Sequence, residues 1–238
     1  TTTLTSQTYT SRQTPSNTGV YVSDCLFKFI TSSSDGGALY CSNSVTYFLV
    51  ESTSFFSCKT SSGSGGAIYF YHSSGQSVLY KVCCCDCYIE SSNYYQFAYI
   101  RVNDASSSKN YVNYSSIVRC VNENVNTYSP FRLWYGNICC PSVNSSLNKC
   151  YRYSGIYCYP YCDSNHVTCS LTYSSFVDNN ATDSICISLD RDYAKYEIKS
   201  CNILRNTQSN LDSCGTIYTW GNLNISDSCI LENKATNI

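Results

Sequence analysis

The feature that most constrains this chain is a repeat. Asp35-Gly36-Gly37-Ala38-Leu39-Tyr40 returns as Ser64-Gly65-Gly66-Ala67-Ile68-Tyr69, about 29 residues later. A second signature keeps the same beat: an apolar residue, two variable residues, then Asn or Cys. Its first member falls at Leu26, Phe55, Cys84, Ile117, Leu147, Phe176, Ile203 and Ile230, in steps of about 29, 29, 33, 30, 29, 27 and 27 residues. A unit this small cannot bury its own apolar face, so it must stack on its neighbours.

Each unit reads as three short strands. Ser54-Phe55-Phe56 is the first and Ala67 to Tyr71 the second, across a Ser/Gly-rich turn. Val78 to Val82 is the third. Later units offer Phe97-Ala98-Tyr99-Ile100, Leu133-Trp134-Tyr135 and Gly155-Ile156-Tyr157-Cys158 as second strands. These are β-branched and aromatic runs bounded by turn residues, and no segment keeps a helical period. Three strands in fewer than about 30 residues fit one coil of a parallel β-helix, whereas a propeller blade needs four strands and about 40 or more. The predicted fold is all-β, a parallel β-helix solenoid of about eight three-stranded coils over residues 25–238. Residues 1–24 carry no repeat signature and read as an N-terminal cap or arm. The chain has no Met and stops soon after a repeat begins, so it reads as a fragment or a processed ectodomain.

Stacking turns recurring positions into columns. Three residues after each anchor stand Phe29, Cys58, Cys87, Cys120, Cys150, Asn179, Asn206 and Asn233. Asn in such a column bonds along the stack, as in amide ladders. The spacing thus predicts a Cys ladder at Cys58, Cys87, Cys120 and Cys150, followed by an Asn ladder at Asn179, Asn206 and Asn233.

Only 13% of residues are charged and the net charge is −1, so no basic stripe exists for nucleic acid. Eighteen cysteines point to an oxidising compartment and disulfides. The sequons at Asn113, Asn144, Asn180 and Asn224 are glycosylation candidates that agree with a secreted or cell-surface location. No apolar run is long enough to span a bilayer, so membrane attachment would need an anchor outside this segment.

The pairing of Gly36-Gly37-Ala38-Leu39-Tyr40 and Gly65-Gly66-Ala67-Ile68-Tyr69 with Phe176-Val177-Asp178-Asn179 resembles the repeat of the chlamydial polymorphic membrane proteins. It is similar also to their relatives among trichomonad surface proteins. Ile203 to Asn206 and Ile230 to Asn233 are looser copies. Cys replaces Asn in four coils, and the Gly-Gly-Ala half erodes after residue 70. The resemblance implies a right-handed parallel β-helix on a cell surface, acting in adhesion, with no catalytic residue.

Three constellations bear on chemistry. Cys158, Cys162, His166 and Cys169 have zinc-ligand types but no standard finger spacing. Asp190-Arg191-Asp192 is the densest set of acids, with Asp178 and Asp183 nearby, and two carboxylates can hydrolyse glycosides. Tyr is abundant at 24 residues, and Tyr94, Tyr95, Tyr159 and Tyr161 are the candidate ligand contacts. The reading that follows is a non-catalytic ectodomain, without cofactor or metal, that binds a protein or glycan on a host or neighbouring cell or forms a surface coat. Self-association through the solenoid ends is a further expectation. The alternatives are a carbohydrate-active β-helix enzyme and a subunit of an extracellular filament.

Overall fold

The unit that the repeat predicts closes by pairing with its neighbours. The computed structural model describes residues 1–91, 95–120, 127–183, 185–209 and 215–235. Three long sheets run along the stack: nine strands in sheet A, from Thr2–Thr5 to Asn222–Ser226, and nine in sheet B, from Thr8–Tyr9 to Cys229–Leu231. Sheet C has seven, from Leu39–Cys41 to Ile217–Thr219. Two-residue strands such as Lys59–Thr60 and Asn180–Ala181 add a short fourth side. Pairing is parallel throughout these sheets, coil on coil. The result is an all-β parallel solenoid of about seven turns, without a helix among the described residues. Residues 2–23 contribute strands to sheets A and B, so the stack begins ahead of the first repeat signature.

Alternation places one face of every strand inside. The B-sheet register aligns Phe27, Phe55, Cys84, Ile117, Ser145, Phe176, Ile203 and Ile230. The first seven are at most 2% exposed, and Ile230 is 41% exposed. Two expected anchors are therefore corrected. Phe27 replaces Leu26, which faces outward beside it, and Ser145 replaces Leu147, which is 50% exposed. An internal aromatic stack continues the row: Tyr9, Phe27 and Phe55 sit ring on ring at 4.9 Å, and Phe97 and Phe131 extend it at 5.9 and 5.7 Å.

The ladder shifts with its anchors. Asn148 takes the place expected for Cys150, and Ile30 that of Phe29. The Asn148 amide donates to Asn179 Oδ1 at 3.0 Å, Asn179 to Asn206 at 3.0 Å and Asn206 to Asn233 at 2.9 Å. Each Oδ1 also accepts the backbone N–H of the preceding coil, beginning with Cys120 N to Asn148 at 2.9 Å. Cys58, Cys87 and Cys120 occupy the matching positions of earlier coils. Cys150 lies two residues further on, in the strand Lys149–Cys150 paired with Ala181. Leu147-x-x-Cys150 imitates the signature, yet Ser145-x-x-Asn148 fills it.

Two bends flank each B strand. Three residues before the anchor the backbone is left-handed at Asp24, Ser52, Lys81, Tyr114, Ser142, Tyr173, Ser200 and Asp227. Two residues after it, the same holds at Phe29, Ser57, Asp86, Arg119, Leu147, Asp178, Arg205 and Glu232. Ahead of the last described coil, each bend N–H still bonds the next coil, as Ser57 to Cys85 O at 3.0 Å, so the ladder turns the corner unbroken. In the Gly-Gly pairs, Gly65 has φ +73°, and a Cβ on Gly66 would stand 2.3 Å from Tyr88 O. The first Gly makes the turn; the second lets coils touch backbone to backbone.

Candidate ligand-binding face

Sheet C carries an outer face unlike the other two. Its register puts Tyr40, Tyr69, Tyr99, Arg132 and Tyr157 in one outward-directed column, in which neighbouring side chains cover Tyr99 and Tyr157. Tyr71, Arg101, Trp134 and Tyr159 form the next. The inward positions between them are apolar: Cys41, Phe70, Ile100, Leu133 and Cys158 are all buried. Parallel in-register stacking sets neighbouring rings about 4.8 Å apart, close to the aromatic optimum. Tyr40 and Tyr69 stack at 5.5 Å, and Tyr69 and Tyr99 at 5.1 Å with 9° between planes. Tyr95 joins from the preceding turn, 5.6 Å from both Tyr99 and Tyr128.

Guanidinium groups lie among the rings. Arg132 Cζ is 3.8 Å from the Trp134 centroid and 4.4 Å from that of Tyr95. Arg101 Cζ is 4.4 Å from Trp134 and 4.8 Å from Tyr71. Arg191 rests on Tyr159 at 4.7 Å and pairs with Asp104 at 3.1 Å. Such contacts are worth about 0.5–2 kcal/mol each. Among the described residues neither Arg101 nor Arg132 has a carboxylate within ion-pair distance. Arg101 Nε, Arg132 Nε and Trp134 Nε1 are enclosed without a hydrogen-bond acceptor among the described residues.

At one end of this face a cavity of about 340 Å³ is lined by Tyr159, Cys162, Asp190, Arg191, Asp192, Tyr193 and Trp220. Tyr157 donates its hydroxyl to Asp190 Oδ2 at 2.7 Å. Burial raises the Asp190 carboxyl above the ordinary carboxylate range, against the lowering effect of the Tyr157 hydrogen bond. Burial, reinforced by Asp190, also pushes the Tyr157 phenol well up. The pair is therefore a neutral donor beside a carboxyl that binds its proton more tightly than usual.

The expected contacts divide. Tyr95 and Tyr159 belong to the face; Tyr161 follows Tyr159 and is half-buried; Tyr94 lies outside the described residues. Asp178 and Asp183 do not join Asp190. Asp178 is held by Arg205 at 2.8 Å, and Asp183 by Arg152 at 3.2 Å. The zinc-like set is split. Cys158 and Cys169 are buried, Cys162 donates to Asp192 O at 3.2 Å, and His166 is exposed beside Asp163 at 2.9 Å. Among the described residues no three His, Cys, Asp or Glu side chains are grouped to hold a metal. The described cysteines are unbridged thiols, contrary to the expected disulfides. Column neighbours point the same way, and the contact between Cys84 and Cys120, at 3.5 Å, runs diagonally between two columns. Burial pushes the Cys140, Cys150 and Cys158 thiols well up. All four sequon asparagines sit on strands. Asn224 is exposed, and Asn113, Asn144 and Asn180 are half-buried.

Sequence reasoning missed Arg101, Arg132 and Trp134. The signal was there: Tyr99 and Arg132, like Arg101 and Trp134, are one repeat apart and meet when the second strands are aligned. No protein-family model, curated protein or solved structure matches this chain.

Proposed function

We propose that this solenoid is a non-catalytic ectodomain, secreted or displayed at a cell surface, whose C-sheet face binds a ligand on a host or neighbouring cell. The observation that carries the reading is the aromatic and guanidinium face: two in-register columns of Tyr, Trp and Arg on a rigid frame. Tyr, Trp and Arg are the side chains that dominate binding surfaces. Fixed by stacking, they lose little freedom when a ligand arrives. The Gly-Gly-Ala and Phe-x-x-Asn motifs support a place beside the polymorphic membrane protein repeats. The four sequons support an extracellular setting.

The test is binding of the purified chain to intact cells and to a glycan panel. Replacing Tyr71, Trp134 and Tyr159 together by Ala should lower binding at least tenfold. Phe56→Ala on sheet B should leave it unchanged. Equal loss from both variants, or loss from neither, would count against the reading.

A second reading has its own observation. The raised carboxyl of Asp190 and the acid of Asp192 share a cavity, as a general acid and a base would in a glycosidase. Release of reducing ends from a polysaccharide, abolished by Asp190→Asn, would establish it.

A further inference from the structure

We infer that the Arg101–Trp134–Arg132 cluster selects an anionic saccharide, a sugar chain carrying carboxylate or sulfate groups. This rests on the ligand-binding reading of the C-sheet face and adds its chemistry. Arg101 and Arg132 are oriented by rings rather than by carboxylates: Trp134 lies 4.4 Å from one and 3.8 Å from the other. Neither charge is consumed by an ion pair among the described residues. Three N–H groups of the cluster lack an acceptor among the described residues. A planar guanidinium stacked on an aromatic face is already immobilised, so a bidentate bond to an oxyanion costs it little further entropy. Those three N–H groups are enclosed and out of a ligand's reach; what half-buried Arg101 and Arg132 present is the outer part of each guanidinium, charged and without a carboxylate partner among the described residues.

The rest of the face says what carries the matching negative charge. Asp190 with its Tyr157 partner supplies an acceptor toward one end, and Asp104 and Asp192 lie alongside Arg191. Hydroxyls of a sugar can serve such acceptors, and the flat faces of a pyranose can lie on Tyr and Trp rings. A nucleic acid places phosphates too densely for a face interleaved with acids, and the whole chain has 16 acidic against 15 basic residues. Sparse anions on a polyhydroxylated chain fit the mixture.

The experiment is calorimetric titration of the unmodified chain with three probes. One is an oligosaccharide of alternating glucuronic acid and N-acetylglucosamine. The second is its carboxyl-reduced counterpart, and the third a single-stranded oligothymidylate. The acidic sugar should bind at least tenfold more tightly than the reduced one and weaken as salt rises, and oligothymidylate should not compete. Arg132→Gln and Arg101→Gln should each lower affinity for the acidic sugar at least tenfold. Arg132→Lys, which keeps charge but loses the fork, should fall between. Arg119→Gln, on the far side of sheet B, should change nothing. Because the first comparison uses the unaltered protein, it stands even where an Arg variant folds poorly. Equal affinity for acidic and reduced sugars would overturn the anionic preference and leave the ligand-binding reading in place. Tighter binding of oligothymidylate, or no binding of either sugar, would overturn the inference, and the cell-binding test would then judge the wider reading by itself.

Discussion

Asn179 does three things at once. Its Oδ1 accepts the Asn148 backbone N–H at 3.1 Å, its amide donates to Ser145 O at 2.8 Å, and it passes a second donor contact to Asn206 at 3.0 Å. All of this is fully buried. Asn179→Ala therefore strands a backbone donor and a backbone acceptor, each costing about 1–3 kcal/mol. A loss of at least about 2 kcal/mol in urea unfolding is expected. A loss below about 0.5 kcal/mol would deny the ladder any structural role. Asp190 makes a prediction of opposite sign. Its folded pKa lies above its unfolded value because of burial. A raised carboxyl favours folding while protonated, and that contribution fades as pH climbs from the ordinary carboxylate range through the folded pKa. Asp190→Asn should thus be at least as stable as the parent at pH 7 and should flatten the dependence of melting temperature on pH above about 4. An Asn variant that melts lower than the parent at neutral pH would contradict the account.

The bends on either side of each B strand are the element that closes the coil, and they left little trace in the sequence. Left-handed backbone is ordinarily reserved for Gly or Asn. Here it falls on Lys81, Tyr114, Arg119 and Leu147, side chains that announce no turn. The strain is borne because both columns keep their inter-coil hydrogen bonds and point their side chains outward, where Arg119 grips Asp86 and Arg205 grips Asp178 through two bonds each. Strand identity was legible, because alternation and period report burial directly: Phe55, Phe176 and Ile203 sit where the period puts them. Register was legible only to within two residues, since Leu147-x-x-Cys150 matched the pattern as well as Ser145-x-x-Asn148 did. The ligand face was legible in residue type, through its Tyr content, but its Arg members came into view only with the C-sheet register. Leu147 separates the two registers energetically. As a buried anchor its truncation would cost about 2–5 kcal/mol. As an exposed residue at φ +56°, Leu147→Gly should relieve strain and raise stability by up to about 1 kcal/mol. Chemical denaturation of that one variant decides between them.

A solenoid has no long-range closure, so each coil is as stable as its contacts with the coils beside it. Coils in the middle bury their row residues on both sides: Ile117, Phe176 and Ile203 are at most 1% exposed. In the last described coil the same row is open. Ile230 is 41% exposed and Leu231 58%, and Ile225 of sheet A is 41% exposed. The N-terminal turn differs, for Tyr9 stacks over Phe27 at 4.9 Å and shields that end of the row. Stability in this chain should therefore fall along the axis toward residue 235, and opening should begin at that end. Hydrogen exchange gives the direct reading. Amides of the strands Asn202–Leu204 and Ser175–Val177 should be protected longer than those of Cys229–Leu231, although all three belong to one sheet. Matched truncations give the energetic one. Ile203→Ala removes a side chain packed between two coils and should cost about 2–5 kcal/mol. Ile230→Ala, one register step away, should cost under about 1 kcal/mol, because a side chain that is already 41% exposed has less packing to lose. Equal costs at the two positions would mean that the final coil is covered in solution as fully as the middle ones, and the gradient would have to be abandoned.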